Sequence, residues 1–394
     1  LKQETNGGTM TYGHFDDAER FAFFSKAVLY ILPMIKFMPD IIHANDWQTS
    51  LIPIYLSAKY SGYEGYRDIK SIITIHNIEY QGVFDLAISE DVFDLHGKEK
   101  GIIEFKGAIN LLKGALETAH FISTVSESYS KEILDNYYAH GLAEIIQKNS
   151  SKIKGILNGI DTEKYNPEDD TEIFENYNAE SIQKKYLNKI NLQSLSGLPQ
   201  DEDIPVIGII SRLVKHKGFD LIKESMEEIL KEKVQFIILG KGDRGYELFF
   251  KYLQESYRDK IYVRIGFDSD FAKKIYSGAD LFLMPSISEP CGIAQMISSR
   301  YGTVPIVRET GGLKDSIKDA SLGKGNGFTF VDETPQALCE AVKRALIVYE
   351  NKEDWRKLVE TVMKMDFSWR KSAEKYFDLY SSLANFEENN NEGF

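Results

Sequence analysis

The text Ser286-Ile287-Ser288-Glu289-Pro290-Cys291-Gly292-Ile293-Ala294-Gln295 follows directly on an apolar run, Leu281–Pro285, that reads as a strand. Pro290 and Gly292 at the opening of a helix leave unpaired backbone N–H groups at the end of a sheet, and such groups can hold a pyrophosphate. Glu289 beside that anion site cannot itself bind phosphate, because like charges repel. It can hydrogen-bond sugar hydroxyls or stabilise positive charge developing at an anomeric carbon; the alternative is a carboxylate that only complements a helix dipole. Arg212 and Lys217, in the text SRLVKHKGF after the run Pro205–Ser211, can clamp the two phosphates of a departing nucleoside diphosphate. Basic residues in such loops are also often merely solvated. His76 and Asn77 close the run Ile72–His76, where an imidazole facing a cleft can hydrogen-bond a sugar or can serve structure alone. His43 and Asp46 end another run, with helix capping by Asn45 or Asp46 as the plain alternative. Asn158-Gly159-Ile160-Asp161 reads as a turn.

Each of these groups stands where a short β-branched run stops and a segment of helical period begins, the pattern of βα units on a parallel sheet. In the first half the runs Ile41–Ala44, Ile72–His76, Phe121–Val125 and Ile153–Leu157 predict strands. Helices are expected at Asp17–Ile35, Thr49–Tyr60, Glu104–Thr118 and Ser128–Tyr137. A second series begins with Pro205–Ser211 and continues through Val234–Gly240, Ile261–Ile265, Leu281–Pro285, Val304–Val307 and Phe328–Val331, enough for a complete doubly wound domain. The expected fold class is α/β, with two Rossmann-like doubly wound domains. Residues 1–164 form the first, which opens on the non-strand text LKQETNGG and is expected to lack its leading βα units. Residues 165–200, polar and Asn-rich, read as the inter-domain crossing, and 201–366 as the second Rossmann-like domain, whose strand-end cations and amides suit a nucleoside diphosphate. Residues 367–394 are expected to supply a C-terminal helix that can return to the first domain, then a frayed tail at Glu387–Gly393.

A formal charge of −13 over 394 residues, without a Lys/Arg cluster, argues against a nucleic-acid partner. Only Cys291 and Cys339 are present, which excludes a disulfide framework and fits a reducing cytoplasm. No apolar stretch is long enough for a membrane span, and the first ten residues lack a signal-peptide pattern. Gly240-Lys241-Gly242-Asp243 lacks the Lys-Ser/Thr of a P-loop. Asp268-Ser269-Asp270 reads as a helix cap and Asp201-Glu202-Asp203 as linker, so no metal site is expected.

The texts SRLVKHKGFDL, LGKGDRGYE, IYSGADLFLMPS, EPCGIAQ, YGTVPIVRETGGLKD and MDFSW resemble, in order and spacing, the bacterial glycogen synthases and plant starch synthases. YGHFDDAERFAFFSKA, IIHANDWQ, TIHNIEYQG, STVSESYSKEI and ILNGIDTEKYNP do the same, and the likeness runs from about Tyr12 to Tyr380. The resemblance implies a GT-B fold, two domains facing across a cleft. It also implies retaining transfer of glucose from ADP-glucose to the non-reducing end of an α-1,4-glucan, with no metal and no cofactor beyond that co-substrate. Carried over, Arg212 and Lys217 would neutralise the donor phosphates, Glu289 would sit by the transferred glucose, and His76 would bind its hydroxyls from the opposite domain. Asn158 would hold the sugar. Cys291, Gly292 and Ile293 would line the donor site, the last two through backbone N–H groups, and Phe267, where Tyr is common, would stack on adenine. Asp46, Asn77, Tyr80 and Gln81 are further substrate-binding candidates.

This sequence departs from the family pattern at Asn45 and Gln48, where histidines are usual, and at Ala294, where Thr is usual. The family's Lys-x-Gly-Gly-Leu loop has no counterpart before Leu1, and TGGLKD at Thr310 is a different loop, so the chain is expected to be N-terminally incomplete. A UDP-sugar glycosyltransferase and a non-catalytic glucan- or nucleotide-binding fragment are the alternative readings.

Overall fold

A computed structural model describes residues 13–384 of the chain; the opening text LKQETNGG and the tail Glu387–Gly393 lie outside them. Two units are resolved. The first takes in residues 13–125, Ser130–Ile156 and 375–384, and the second Ser126–Tyr129 with Leu157–Glu374. No helix among the described residues is long and apolar enough to cross a membrane.

The strands of the first unit are β1 (Ile41–Asn45), β2 (Lys70–Ile75), β3 (Val83–Phe84), β4 (Glu104–Phe105), β5 (Ala108–Asn110), β6 (Phe121–Thr124) and β7 (Ile153–Gly155). Four of them form one parallel sheet in the order β1-β2-β6-β7, with His43 opposite Ile72 and Ile72 opposite Phe121. The central strand β2 is buried on both faces from Ser71 to Ile75, as strands inside a parallel sheet are. Leu379, on the helix Trp369–Ala384, packs with Ile72 and Ile156 on that sheet.

The helix expected at Ser128–Tyr137 runs only over Glu127–Glu132, and two others are reorganised. Residues 104–118 are not one helix: β4 and β5 form an antiparallel hairpin that β3 joins, and the helix starts only at Leu111, capped by Asn110 accepting from Lys113 N–H at 2.9 Å. The turn is Lys106-Gly107, with φ of 53° and 84°. Two consecutive positive φ values suit a two-residue hairpin loop, and that dipeptide was the overlooked signal. The segment Thr49–Tyr60 is helical but broken, with a 3₁₀ turn at Trp47–Thr49, an α-turn at Leu51–Tyr55 and a π-turn at Leu56–Tyr60.

His43 illustrates how the first core is tied. Its Nδ1 lies 2.7 Å from the Tyr380 hydroxyl and its Nε2 2.5 Å from Thr74 Oγ1. Burial first, and the neighbouring His76 second, push its pKa down from 6.5 to about 4. Between those values the unfolded chain takes up a proton that the folded chain refuses. The stabilisation is therefore complete above pH 6.5 and is lost as pH falls toward 4. Urea midpoints are expected to fall between pH 7 and 5, with a shallower fall for His43→Gln; equal slopes would show that another group governs the loss.

In the second unit β8 (Val206–Ile210), β9 (Gln235–Gly240), β10 (Ile261–Ile265), β11 (Leu281–Met284), β12 (Val304–Arg308) and β13 (Phe328–Phe330) are all parallel. Their order is β10-β9-β8-β11-β12-β13, so the strand order reverses between β8 and β11. At such a switch point the loops leaving two adjacent strands diverge and open a crevice at their carboxyl ends.

Residues 165–200, expected as a crossing, are instead part of this unit. Tyr177 is buried and donates to Tyr301 O at 2.7 Å. The helix Lys185–Leu195 lies against Ser269–Gly278 so closely that a Cβ on Gly278 would stand 2.8 Å from Asn188 O. The polar composition misled because these side chains are buried while hydrogen-bonded: Asn188 accepts from Phe174 N–H and Glu175 N–H and donates to Glu175 O.

Candidate active site

The loop leaving β8 is drawn against the end of β11. Lys217 ends a 3₁₀ turn, Lys215–Lys217, and Gly218 follows in the left-handed region at φ 79°, where a Cβ would stand 1.9 Å from Pro285 O. Only glycine allows that approach. Ile287 N–H donates to His216 O at 2.9 Å, completing the junction of the two loops. Lys217 Nζ thereby comes 2.6 Å from Glu289 Oε2, and Ser286 Oγ donates to the same oxygen at 3.0 Å. Both partners of the ion pair are largely withdrawn from water, with side chains 18% and 10% exposed. Oε2 is doubly bound, while Oε1 accepts no hydrogen bond among the described residues. In the sequence Lys217 and Glu289 stand out separately. Ser286 does not, although it stands in the same text as Glu289.

Behind Glu289 the chain is packed through glycine. A Cβ on Gly311 would stand 2.0 Å from Glu289 O, and one on Gly312 2.0 Å from Cys291 O. Ser126 and Ser128 are also held here, Ser126 Oγ donating to Pro290 O at 2.5 Å and Ser128 binding both carboxylate oxygens of Asp315. Nothing in the sequence announces these pairings across more than 160 residues. Cys291 is buried, and that burial pushes its thiol up to about 12, with an N–H from Asn158 acting the other way. The group is a neutral thiol near pH 7, so it packs the loop and offers no nucleophile. The same contact brings Asn158 to the loop. Ile293 is exposed and Gly292 buried, at φ 70°.

Arg212 and Phe267 are brought together elsewhere in the crevice. They line a cavity of about 660 Å³ with Gly240, Lys241, Gly266 and Tyr276, within the size range of small-molecule sites. Phe267 is 97% exposed, an aromatic face with nothing stacked on it among the described residues. Asp268, next to it, caps its helix through Phe271 N–H at 2.8 Å and pairs with Arg264 at 2.8 Å. Among the described residues no cluster of His, Cys, Asp and Glu is placed to hold a metal ion.

In the first unit Asp46 is the residue that places His76. Its backbone sits at φ 56°, ψ −176°, a conformation that costs a non-glycine residue about 1–3 kcal/mol. The carboxylate accepts from His76 N–H at 2.8 Å, and His76 Nε2 faces Asn45 Oδ1 at 2.9 Å. Burial raises the Asp46 pKa against the opposing pull of His76. Asp46 is thus a brace for the histidine, not the helix cap that was its alternative, since it makes no side-chain cap bond. Asn77 Oδ1 accepts from Glu79 N–H, an Asx-turn, and Tyr80 is 38% exposed. Gln81, expected at a substrate, is committed to structure: its Nε2 donates to Ile78 O and His140 O, and its Oε1 accepts from Asn110.

Comparison with known proteins agrees along the chain. Residues 3–148 match the family model described as starch synthase catalytic domain, and residues 194–361 match glycosyl transferases group 1. A glycogen synthase of Clostridioides difficile is 46% identical over 376 residues, covering 94% of this chain and 78% of that one. A glycogen synthase of Anoxybacillus flavithermus is also 46% identical with the same coverage. Among solved structures, the catalytic domain of starch synthase IV from Arabidopsis thaliana, bound to ADP and acarbose, superimposes with a TM-score of 0.87 at 34% identity. That match covers 95% of this chain and 79% of the other. Sucrose-phosphate synthase from Thermosynechococcus elongatus, at 17% identity and a TM-score of 0.60, shares the fold.

Proposed function

The chain belongs to the glycogen and starch synthase family of glycosyltransferases, with the GT-B fold, and from that membership and the site geometry we propose that it moves glucose from ADP-glucose to the non-reducing end of an α-1,4-glucan. The observation that carries the reading is the Lys217–Glu289–Ser286 cluster at the switch point of the second unit. A cation and a sugar-binding carboxylate held side by side suit a donor whose diphosphate and hexose are joined at the bond to be broken.

In this reading adenine stacks on Phe267, and Arg212, Lys217 and the N–H groups of Gly292 and Ile293 take up the diphosphate charge. Glu289 Oε1 faces the transferred glucose, which Asn158 also holds, and His76 in the first unit is a further sugar-binding residue. The anomeric C–O bond breaks, its electron pair leaves with ADP, and an acceptor hydroxyl oxygen closes the new bond on the same face of the sugar. Its proton passes to the departing phosphate oxygen, so configuration is retained without the close carboxylate pair of a retaining glycosidase. The cations and amides neutralise the leaving group, so no metal and no further cofactor are required. ADP and acarbose bound to the Arabidopsis relative support a nucleotide and a glucan as ligands.

The test is incorporation of labelled glucose into glycogen from ADP-glucose and from UDP-glucose, with EDTA present. ADP-glucose is expected to be the better donor. Preference for UDP-glucose would overturn the nucleotide assignment, and no incorporation from either would favour a binding protein.

A further inference from the structure

The loop that carries Glu289 turns its main-chain oxygens to the buried side, and each of four in succession has a donor. Glu289 O accepts from Gly312 N–H at 3.1 Å, and Pro290 O from Gly312 N–H at 3.2 Å and from Ser126 Oγ at 2.5 Å. Cys291 O and Gly292 O both accept from one group, Gln295 Nε2, at 3.3 and 3.0 Å. Gln295 is 0% exposed. Its Nε2 also lies 3.1 Å from Ser316 Oγ, whose own proton goes to Gly312 O at 2.6 Å, so the serine can only accept from the amide.

Those three acceptors settle which way the amide faces. Reversed, Oε1 would meet two carbonyl oxygens and a hydroxyl lone pair. As placed, Oε1 has no hydrogen-bond partner and lies against Gly292, where a Cβ would stand 2.6 Å from it. A buried acceptor without a donor costs about 1–3 kcal/mol. Its persistence marks a side chain held for what its NH₂ end does.

A trans peptide is planar, and its N–H points opposite to its C=O. Holding Cys291 O fixes the direction of Gly292 N–H, and holding Gly292 O fixes that of Ile293 N–H. We propose that Gln295 is a positioning residue for the donor diphosphate. It draws these two carbonyls inward so that the two amides face outward, preorganised for phosphate oxygens. This rests on the donor reading given above, and concerns a residue that touches no substrate itself.

The test compares ADP with AMP. Gln295→Met keeps the volume and removes the donor, and Gln295→Glu keeps the shape but sets a carboxylate against both carbonyls. In Gln295→Met the ADP Kd and the ADP-glucose KM are expected to rise about tenfold, the scale of weakened hydrogen bonds to a charged group. The AMP Kd and the glucan KM should stay within about twofold. Gln295→Glu should lose more. Ser316→Ala, which removes the acceptor that orients the amide together with the hydroxyl donor to Gly312 O, should shift the same ratio by a smaller factor, and it carries the test if the Gln295 variants do not fold. An unchanged ADP-to-AMP affinity ratio in a folded variant, or equal loss for both nucleotides, would overturn the role. Wild-type protein that binds no ADP would instead overturn the donor reading itself.

Discussion

Glu289→Ala is expected to lower kcat for glucosyl transfer by about 10²–10³-fold, the scale of losing one preorganised electrostatic contact to a charge that develops in the transition state. ADP should bind as tightly as to wild type, or more tightly. The reason is the ion pair. Lys217 Nζ is held at 2.6 Å by Glu289 Oε2, so the carboxylate competes with phosphate for the same ammonium. Removing it releases the cation to the diphosphate while leaving nothing beside the anomeric carbon. Turnover falls while ADP affinity is kept or raised, a split that a general packing defect would not produce. Activity within tenfold of wild type would reduce Glu289 to a helix-dipole carboxylate.

Lys217→Ala should act on both stability and catalysis. Glu289, only 7% exposed, would keep Ser286 as its remaining described side-chain partner. Breaking a fully buried pair from one side costs about 3–5 kcal/mol, and a value nearer 2 kcal/mol is expected here because the site opens on a crevice. Glu289→Ala leaves the longer, more exposed partner, which can turn toward water, so its melting temperature should fall less. In catalysis, kcat/KM for ADP-glucose should drop about 10³-fold, because an unneutralised pyrophosphate leaves poorly. Glucan KM should not change. In the double variant the stability losses should be less than additive, as for any contacting pair. A Lys217→Ala protein that lost only glucan affinity would contradict the leaving-group role.

The strands were legible because their signal is local. Runs such as Ile261–Ile265 and Leu281–Met284 are β-branched or apolar over a few residues, and the observed ends differ from the expected ones by two residues at most. Local signals also failed where two of them competed. Residues 104–118 carry a helical period, yet the Lys106-Gly107 turn won because it lets β4 and β5 pair. In 165–200 polarity reads as solvation, whereas Asn188 and its neighbours bury polar groups that hydrogen bonds satisfy.

By itself the sequence determined which residue types stand at strand ends, and through the order of its motifs, which family they belong to. Arg212, Lys217, Glu289, Gly292 and Ile293 could all be named from it, since each lies in a text set by its near neighbours. Only the tertiary structure decided that Lys217 and Ser286 meet on one oxygen of Glu289, 72 residues from the lysine. It alone placed the Asp46 carboxylate under His76 and joined Ser126 to Pro290. The physical reason is that motif text and backbone propensity are short-range. Which loops meet depends instead on sheet order, and here that order reverses between β8 and β11.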